Sequence, residues 1–231
     1  VQPAKLSVGI LIFPQATQLD FGGPYEVFAR LKDVETHLVW KRIEPVPCGR
    51  HFTVLPSIDF NDCPPLDIVC VPGGLGQHAL VEDDAVLDWL ARQGADARYV
   101  TAVCTGSLVL GAAGLLQGYR ATTHWAAMEL LPLVGAIPVA ERVVVDRNRI
   151  TGGGVTAGID FALAIAAMLA GEEAAKRTQL WLEYDPAPPF RAGHPRDWPA
   201  ALIERETSAL AALQDKRRRA LVEAMARRGL A

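Results

Sequence analysis

The chain has 231 residues, half of them apolar and 21% charged, with a formal net charge of −3; this is the make-up of an ordinary globular protein able to bury a sizeable core. That balance gives no electrostatic reason to expect nucleic acid or an anionic membrane as partner, and no apolar run reaches the roughly 18 residues that a membrane span needs. The four cysteines, Cys48, Cys63, Cys70 and Cys104, show neither Cys-x-x-Cys spacing nor a partnering histidine pattern, which argues against a zinc site and against a secreted disulfide scaffold. Val1-Gln2-Pro3-Ala4-Lys5 leads directly into a strand-like run without the layout of a signal peptide, so a cytoplasmic location is the expectation.

Ser7 to Phe13 is almost continuously apolar, the mark of a central parallel strand covered on both faces. Pro14 ends it, and the spacing predicts a helix from about Pro24 to Leu31. Asp20 therefore lies in the loop or first turn beyond a strand's C-terminal end, the edge at which open α/β sheets build their sites; a plain role at the helix start is the alternative. Glu35 to Trp40 reads as a second strand and Ile43 to Asp59 as a small hairpin or edge addition. Asp67 to Val71 is another buried strand, with Cys70 as core filler. It ends in Pro72-Gly73-Gly74, where backbone N–H groups can approach a ligand or the chain can merely turn. A helix follows from about Asp83 to Gly94.

Arg98 to Gly111 is the most informative stretch. Its first half is short, β-branched and aromatic, a buried strand; its second half is an apolar, glycine-containing helix. Cys104 falls at the junction, with Ala102 and Gly106 two residues to either side. A nucleophilic side chain on a tight strand-to-helix turn between small residues is the nucleophile-elbow arrangement. The helix start is expected to lower the thiol pKa and to offer N–H groups to developing negative charge. A buried structural cysteine is the plainer alternative.

Beyond it, Gly118 to Trp125 reads as a short strand and turn, followed by a helix from Ala126 to about Leu131 that Pro132 ends. Arg142 to Asp146 and Arg149 to Thr151 read as a hairpin. Gly152-Gly153-Gly154 then leads into a very apolar helix ending near Leu169. The Pro-rich segment Tyr184 to Phe190 is barred from regular helix, and a terminal helix is predicted from about Ala200. Its basic residues, Lys216-Arg217-Arg218-Arg219 and Arg227-Arg228, alternate with leucines and read as a solvated helix face rather than a nucleic-acid patch. Strands alternating with helices define an α/β protein with a parallel sheet. Residues 1–190 form the α/β domain, and 191–231 a helical extension packed on the core or on a dimer partner.

The Cys104 elbow, the Pro72-Gly73-Gly74 turn, Asp20, Thr122-Thr123-His124 and the glycine triplet together resemble the PfpI-type superfamily, the class I glutamine-amidotransferase-like group. Leu19-Asp20, Ala102-Val103-Cys104-Thr105-Gly106-Ser107, Thr122-Thr123-His124-Trp125, Leu182-Glu183-Tyr184 and Pro186 to Phe190 resemble, more closely, its bacterial isocyanide hydratases, over essentially the whole chain. The resemblance implies a flavodoxin-like three-layer sandwich, a homodimer, and no cofactor or metal. Its proteolytic and amidase-like members often place a histidine after the nucleophile, where this chain has Thr105. Cleaving an amide requires an acid to protonate the departing amine, so that difference points away from amide hydrolysis.

For an isocyanide no amine has to leave. The chemistry expected is addition of the Cys104 thiolate to the terminal carbon, a proton from Asp20, a thioimidate, and its hydrolysis to an N-substituted formamide. Thr105 and Gly74 are expected to orient intermediates through N–H groups, with the Thr105 hydroxyl as a further donor. Gly153 and Val155 are expected to border the substrate, and His124 to be structural. A glyoxalase or deglycase activity is the enzymatic alternative. A sensor domain is the other, although no helix-turn-helix pair is legible in 191–231.

Overall fold

A computed structural model describes residues 5–49 and 51–230; Val1 to Ala4, read above as the lead into the first strand, lie outside the described residues. The chain runs β1 (Leu6–Leu11), α1 (Gln18–Phe28), β2 (Val34–Trp40), a two-stranded hairpin of β3 (Val46–Pro47) and β4 (Thr53–Val54), then β5 (Ile58–Asp59) and β6 (Ile68–Val71). It continues through α2 (Gln77–Val81), α3 (Asp84–Asp96), β7 (Tyr99–Val103), α4 (Gly106–Ala112), β8 (Arg120–Ala121), a 3-10 helix (Trp125–Val134), β9 (Ile137–Pro138), β10 (Val143–Asp146) and β11 (Arg149–Gly152). Four helices close it: α5 (Ala157–Ala170), α6 (Glu172–Trp181), α7 (Ala200–Ala209) and α8 (Ala211–Arg227).

Seven strands form one sheet in the order β10-β11-β7-β6-β1-β2-β5. All neighbours are parallel except the β10–β11 hairpin. β6 is buried throughout and β1 and β7 over most of their length, which is why their sequences are continuous apolar runs rather than alternating ones. Helices α1, α5 and α6 pack together as one layer; α2, α3, α4, the 3-10 helix and α8 pack as another. The result is the expected sandwich. From β1 the chain goes outward to β2, then returns to place β6 on β1's other side, pairing Val8 with Ile68. The reversal between β1 and β6 opens a crevice at the strands' C-terminal ends, where sheets of this kind hold their ligands.

Four features of the chain differ from those expected. α1 starts at Gln18, so Pro24 lies inside the helix rather than at its start; the hydrogen bond it forgoes is the one to the Asp20 carbonyl. Its ring packs instead against α5, where a Cβ on Gly158 would lie 3.2 Å from Pro24 Cδ. The segment after His124 is a 3-10 helix that runs past Pro132 to Val134, ending on Gly135 at φ 71°. The terminal helix is broken at Leu210 into α7 and α8. Finally, the basic residues of α8 are not a uniformly solvated face. Arg218 pairs with Glu129, Arg227 with Asp84 and Arg228 with Asp88, tying the helix to its own core, and Arg217 is buried.

Candidate active site

Four chain segments meet at the crevice: the first turn of α1 with Asp20, the turn after β6 with Gly73 and Gly74, the β7–α4 junction with Cys104 and Thr105, and the turn after β11 with Gly152 and Gly153. Cys104 adopts φ 57°, a left-handed conformation that costs an L-residue about 1–2 kcal/mol. Its backbone is held there from both sides. The Cys104 N–H donates to Gly153 O at 2.7 Å, and its carbonyl accepts the Thr123 hydroxyl at 2.8 Å and the Ser107 hydroxyl at 3.0 Å. Strain persists where surrounding bonds over-determine a residue in this way. The flanking glycines are required by space: a Cβ at Gly106 would stand 2.0 Å from Val71 O, and one at Gly73 2.6 Å from Thr105 N.

Asp20 is fully buried. Its Oδ2 accepts the Gly73 N–H at 2.9 Å, and its Oδ1 is buried with no hydrogen-bond partner. The carboxyl and the Cys104 thiol lie close enough for each to alter the other's ionisation. Burial pushes the Asp20 carboxyl up to about 7, against the pull of the Gly73 N–H and the thiol. The thiol is also raised well above its ordinary value, first by burial and then by Asp20; the Thr105 N–H and Arg217 act the other way. This corrects the expectation of a thiol acidified by a helix start. α4 has only seven residues, and the one N–H it turns toward the sulfur does not offset desolvation. Cys104 and Asp20 act as a pair sharing protons, whose ionisation belongs to both.

Thr105 Oγ1 accepts the Gly74 N–H at 3.2 Å, which leaves the hydroxyl proton free to donate elsewhere. The Gly74 N–H is thereby engaged, and the Gly153 N–H donates to Arg142 O at 2.9 Å. In this structure both amides are therefore engaged within the protein, including the Gly74 N–H expected to orient intermediates, and Gly153 acts on the elbow through its carbonyl. Val155 is half-buried in the turn entering α5, and no hydrogen bond of the site runs through it. His124 caps the 3-10 helix, its Nδ1 accepting Ala126 N–H at 3.3 Å. Burial and then Arg217 hold its pKa below the ordinary 6.5, so it is neutral at neutral pH.

Two residues escaped the sequence reading. Thr123 carried no assigned role, yet it anchors the elbow. Arg217 sat within a basic run, but its spacing from Gln214, Leu221 and Ala224 places it on the buried stripe of α8, a helical periodicity that could have revealed it. A surface groove of about 340 Å³ lies elsewhere, lined by Leu19, Phe21, Tyr25, Ile159, Leu182 and Tyr184 and by none of the candidate residues. Among the described residues, no group of three or more His, Cys, Asp or Glu side chains could hold a metal ion, and no helix is long and apolar enough to cross a membrane.

Fold and site define an α/β protein built around a cysteine elbow. Residues 6–168 match the DJ-1/PfpI family, and the chain belongs to that family. It is 58% identical over 199 residues to an isonitrile hydratase of Pseudomonas putida, covering 86% of this chain and 87% of that protein. The crystal structure of a THiJ/PfpI family protein from Pseudomonas syringae superposes with a TM-score of 0.90 at 41% identity, over 94% of this chain and 90% of the other. The chain is also 38% identical over 127 residues to the HTH-type transcriptional regulator GbdR of Pseudomonas aeruginosa, but this covers 52% of the chain and 33% of the regulator.

Proposed function

We propose that the protein is an isonitrile (isocyanide) hydratase, which adds water to R–N≡C to give R–NH–CHO. The observation that carries this reading is the fully buried Asp20 carboxyl, held near neutrality beside the Cys104 thiol, with Thr105 rather than a histidine next in the chain. Such a pair supplies a nucleophile and one proton, which is what a terminal isocyanide carbon consumes; no leaving amine has to be served. The similarity to the Pseudomonas putida isonitrile hydratase along most of both chains supports the same reaction.

Cys104 sulfur forms a bond to the terminal carbon, and the proton held by the pair moves through Asp20 to that carbon. The product is the thioimidate R–N=CH–S–Cys104. Asp20, now a carboxylate, takes a proton from water as the oxygen bonds to the same carbon, and passes that proton to the nitrogen. The tetrahedral adduct then breaks its C–S bond, releasing the formamide and returning the sulfur and one proton to the pair. The free Thr105 hydroxyl proton stabilises the lone pair that builds up on the intermediate.

The protein works as a cytoplasmic homodimer. The solvent-facing Leu180 and Trp181 of α6, Phe190 beyond it and the apolar groove between α1 and α5 are the surfaces a second copy would cover; a monomer by light scattering at micromolar concentration would contradict this. The reaction is tested by incubating the protein with an alkyl isocyanide and following the formamide by NMR, with methylglyoxal as comparator and Cys104→Ala as blank. Formamide that appears with the wild type alone is the expected result. Methylglyoxal turnover without formamide would overturn the proposal in favour of a glyoxalase.

A further inference from the structure

We propose that Arg217 of the C-terminal helix is the counter-ion of the Cys104–Asp20 pair, a positioning residue whose fixed positive charge holds the pair singly protonated and anionic. Residue 217 lies outside the 6–168 segment that defines the family match, so this charge is brought to the elbow by the helical extension.

Arg217 is only 6% exposed. Among the described residues no carboxylate forms an ion pair with it, whereas Arg218, Arg227 and Arg228 on the same helix each have one. Its contacts are long and neutral: Nη2 donates to Gly74 O at 3.4 Å and Nη1 to Gln214 Oε1 at 3.4 Å. Nε is buried without a partner. Isolated buried charges are costly, and those that persist are matched by an opposite charge nearby.

The candidates for that charge are few. Gly74, whose carbonyl receives the guanidinium, gives its N–H to Thr105 Oγ1, and its neighbour Gly73 gives its N–H to Asp20 Oδ2. Arg217 thus backs the turn that holds the acid, and it lies within electrostatic reach of the sulfur, each altering the other's ionisation. Of the other groups facing this cluster, His124 is kept neutral, partly by Arg217 itself. Cys70 on β6 is pushed up to about 12 by burial and stays a thiol. Gln77 on α2, fully buried with neither side-chain polar atom partnered, carries no charge. Among these described residues, the Cys104–Asp20 pair is the one that can hold a negative charge at neutral pH. With one proton on the pair, it and Arg217 sum to zero.

The test is the rate at which iodoacetamide alkylates Cys104, followed by peptide mass across pH, in wild type, Arg217→Met and Arg217→Lys. The Met variant keeps the apolar stem and loses the charge; its profile should move to higher pH by about one unit, so that alkylation on the acid limb falls roughly tenfold. The Lys variant keeps the charge and should follow the wild type closely. A Met profile that coincides with the wild type, with only a lowered melting temperature, would reduce Arg217 to a structural residue and overturn the proposal. A Lys profile displaced as far as that of Met would also overturn it. Should the Met variant fail to fold, Arg217→Gln gives the same readout. Alkylation requires no isocyanide, so this outcome is independent of whether the protein hydrates one.

Discussion

The Gly73 N–H donates to Asp20 Oδ2 at 2.9 Å, and this bond orients the catalytic candidate. With one carboxyl oxygen fixed by a backbone amide, the other is buried without a hydrogen-bond partner in a carboxyl whose ionisation is coupled to the Cys104 thiol. The bond depends on a glycine, because a side chain at position 73 would strike Thr105 N. It also spans the crevice between β1 and β6, so the sheet's reversal point determines which acid meets which thiol.

Asp20→Asn tests the acid directly. The amide oxygen can still accept the Gly73 N–H, so the fold should be kept, while the transferable proton is lost. Turnover of an alkyl isocyanide should fall by about 10²–10⁴-fold, the usual worth of a positioned acid or base, with little change in circular dichroism. A variant that retains full formamide production would remove Asp20 from the mechanism.

The same substitution has a consequence for stability. Asp20 titrates near 7 when folded against 3.8 as its ordinary value, so the native state favours the protonated acid. Its contribution is fully present below pH 3.8 and is lost as pH rises through 7. Above that, the buried carboxylate costs stability, by at most about 4 kcal/mol for a shift of this size. Asp20→Asn should therefore be more stable than wild type at pH 8, and the gap should shrink as the pH is lowered toward 4. Urea denaturation at both pH values measures it; equal differences at the two would contradict the sign.

Much of this was legible in the sequence because the central strands are buried on both faces and read as unbroken apolar runs. The Cys104 junction was legible because the close approach of β6 excludes any residue larger than glycine at 106. Asp20 was placed by its position after β1. Ionisation was not legible: a helix start suggests an acidified thiol, but depth of burial reverses the direction, and periodicity does not report depth. Arg217 was hidden for a related reason. Four consecutive basic residues look solvated until the helix they occupy is docked, and then one of them faces inward.

Thr105 should separate hydroxyl chemistry from packing. Thr105→Val keeps the volume but leaves the Gly74 N–H with no acceptor, and a buried donor without a partner costs about 1–3 kcal/mol. Turnover should fall with the loss of the free hydroxyl proton. Thr105→Ser restores both functions and should recover stability and most of the activity. A serine variant as impaired as valine would show that the methyl group, not the hydroxyl, matters here.

The strain at Cys104 can be measured by comparing two inactive variants. Cys104→Ala and Cys104→Gly both remove the sulfur, so the burial of the thiol cancels between them. Alanine must still adopt φ 57°, whereas glycine does so without a Cβ clash. Against this, glycine loses more backbone entropy on folding, an effect of about 0.4–1 kcal/mol. The left-handed penalty of about 1–2 kcal/mol is the larger, so the glycine variant should be the more stable by up to about 1.5 kcal/mol, each kcal/mol raising the melting temperature by roughly 2–4 °C. If alanine melts higher instead, the elbow is not strained at this residue, and the bonds from Gly153, Thr123 and Ser107 hold a conformation that the chain would adopt without them.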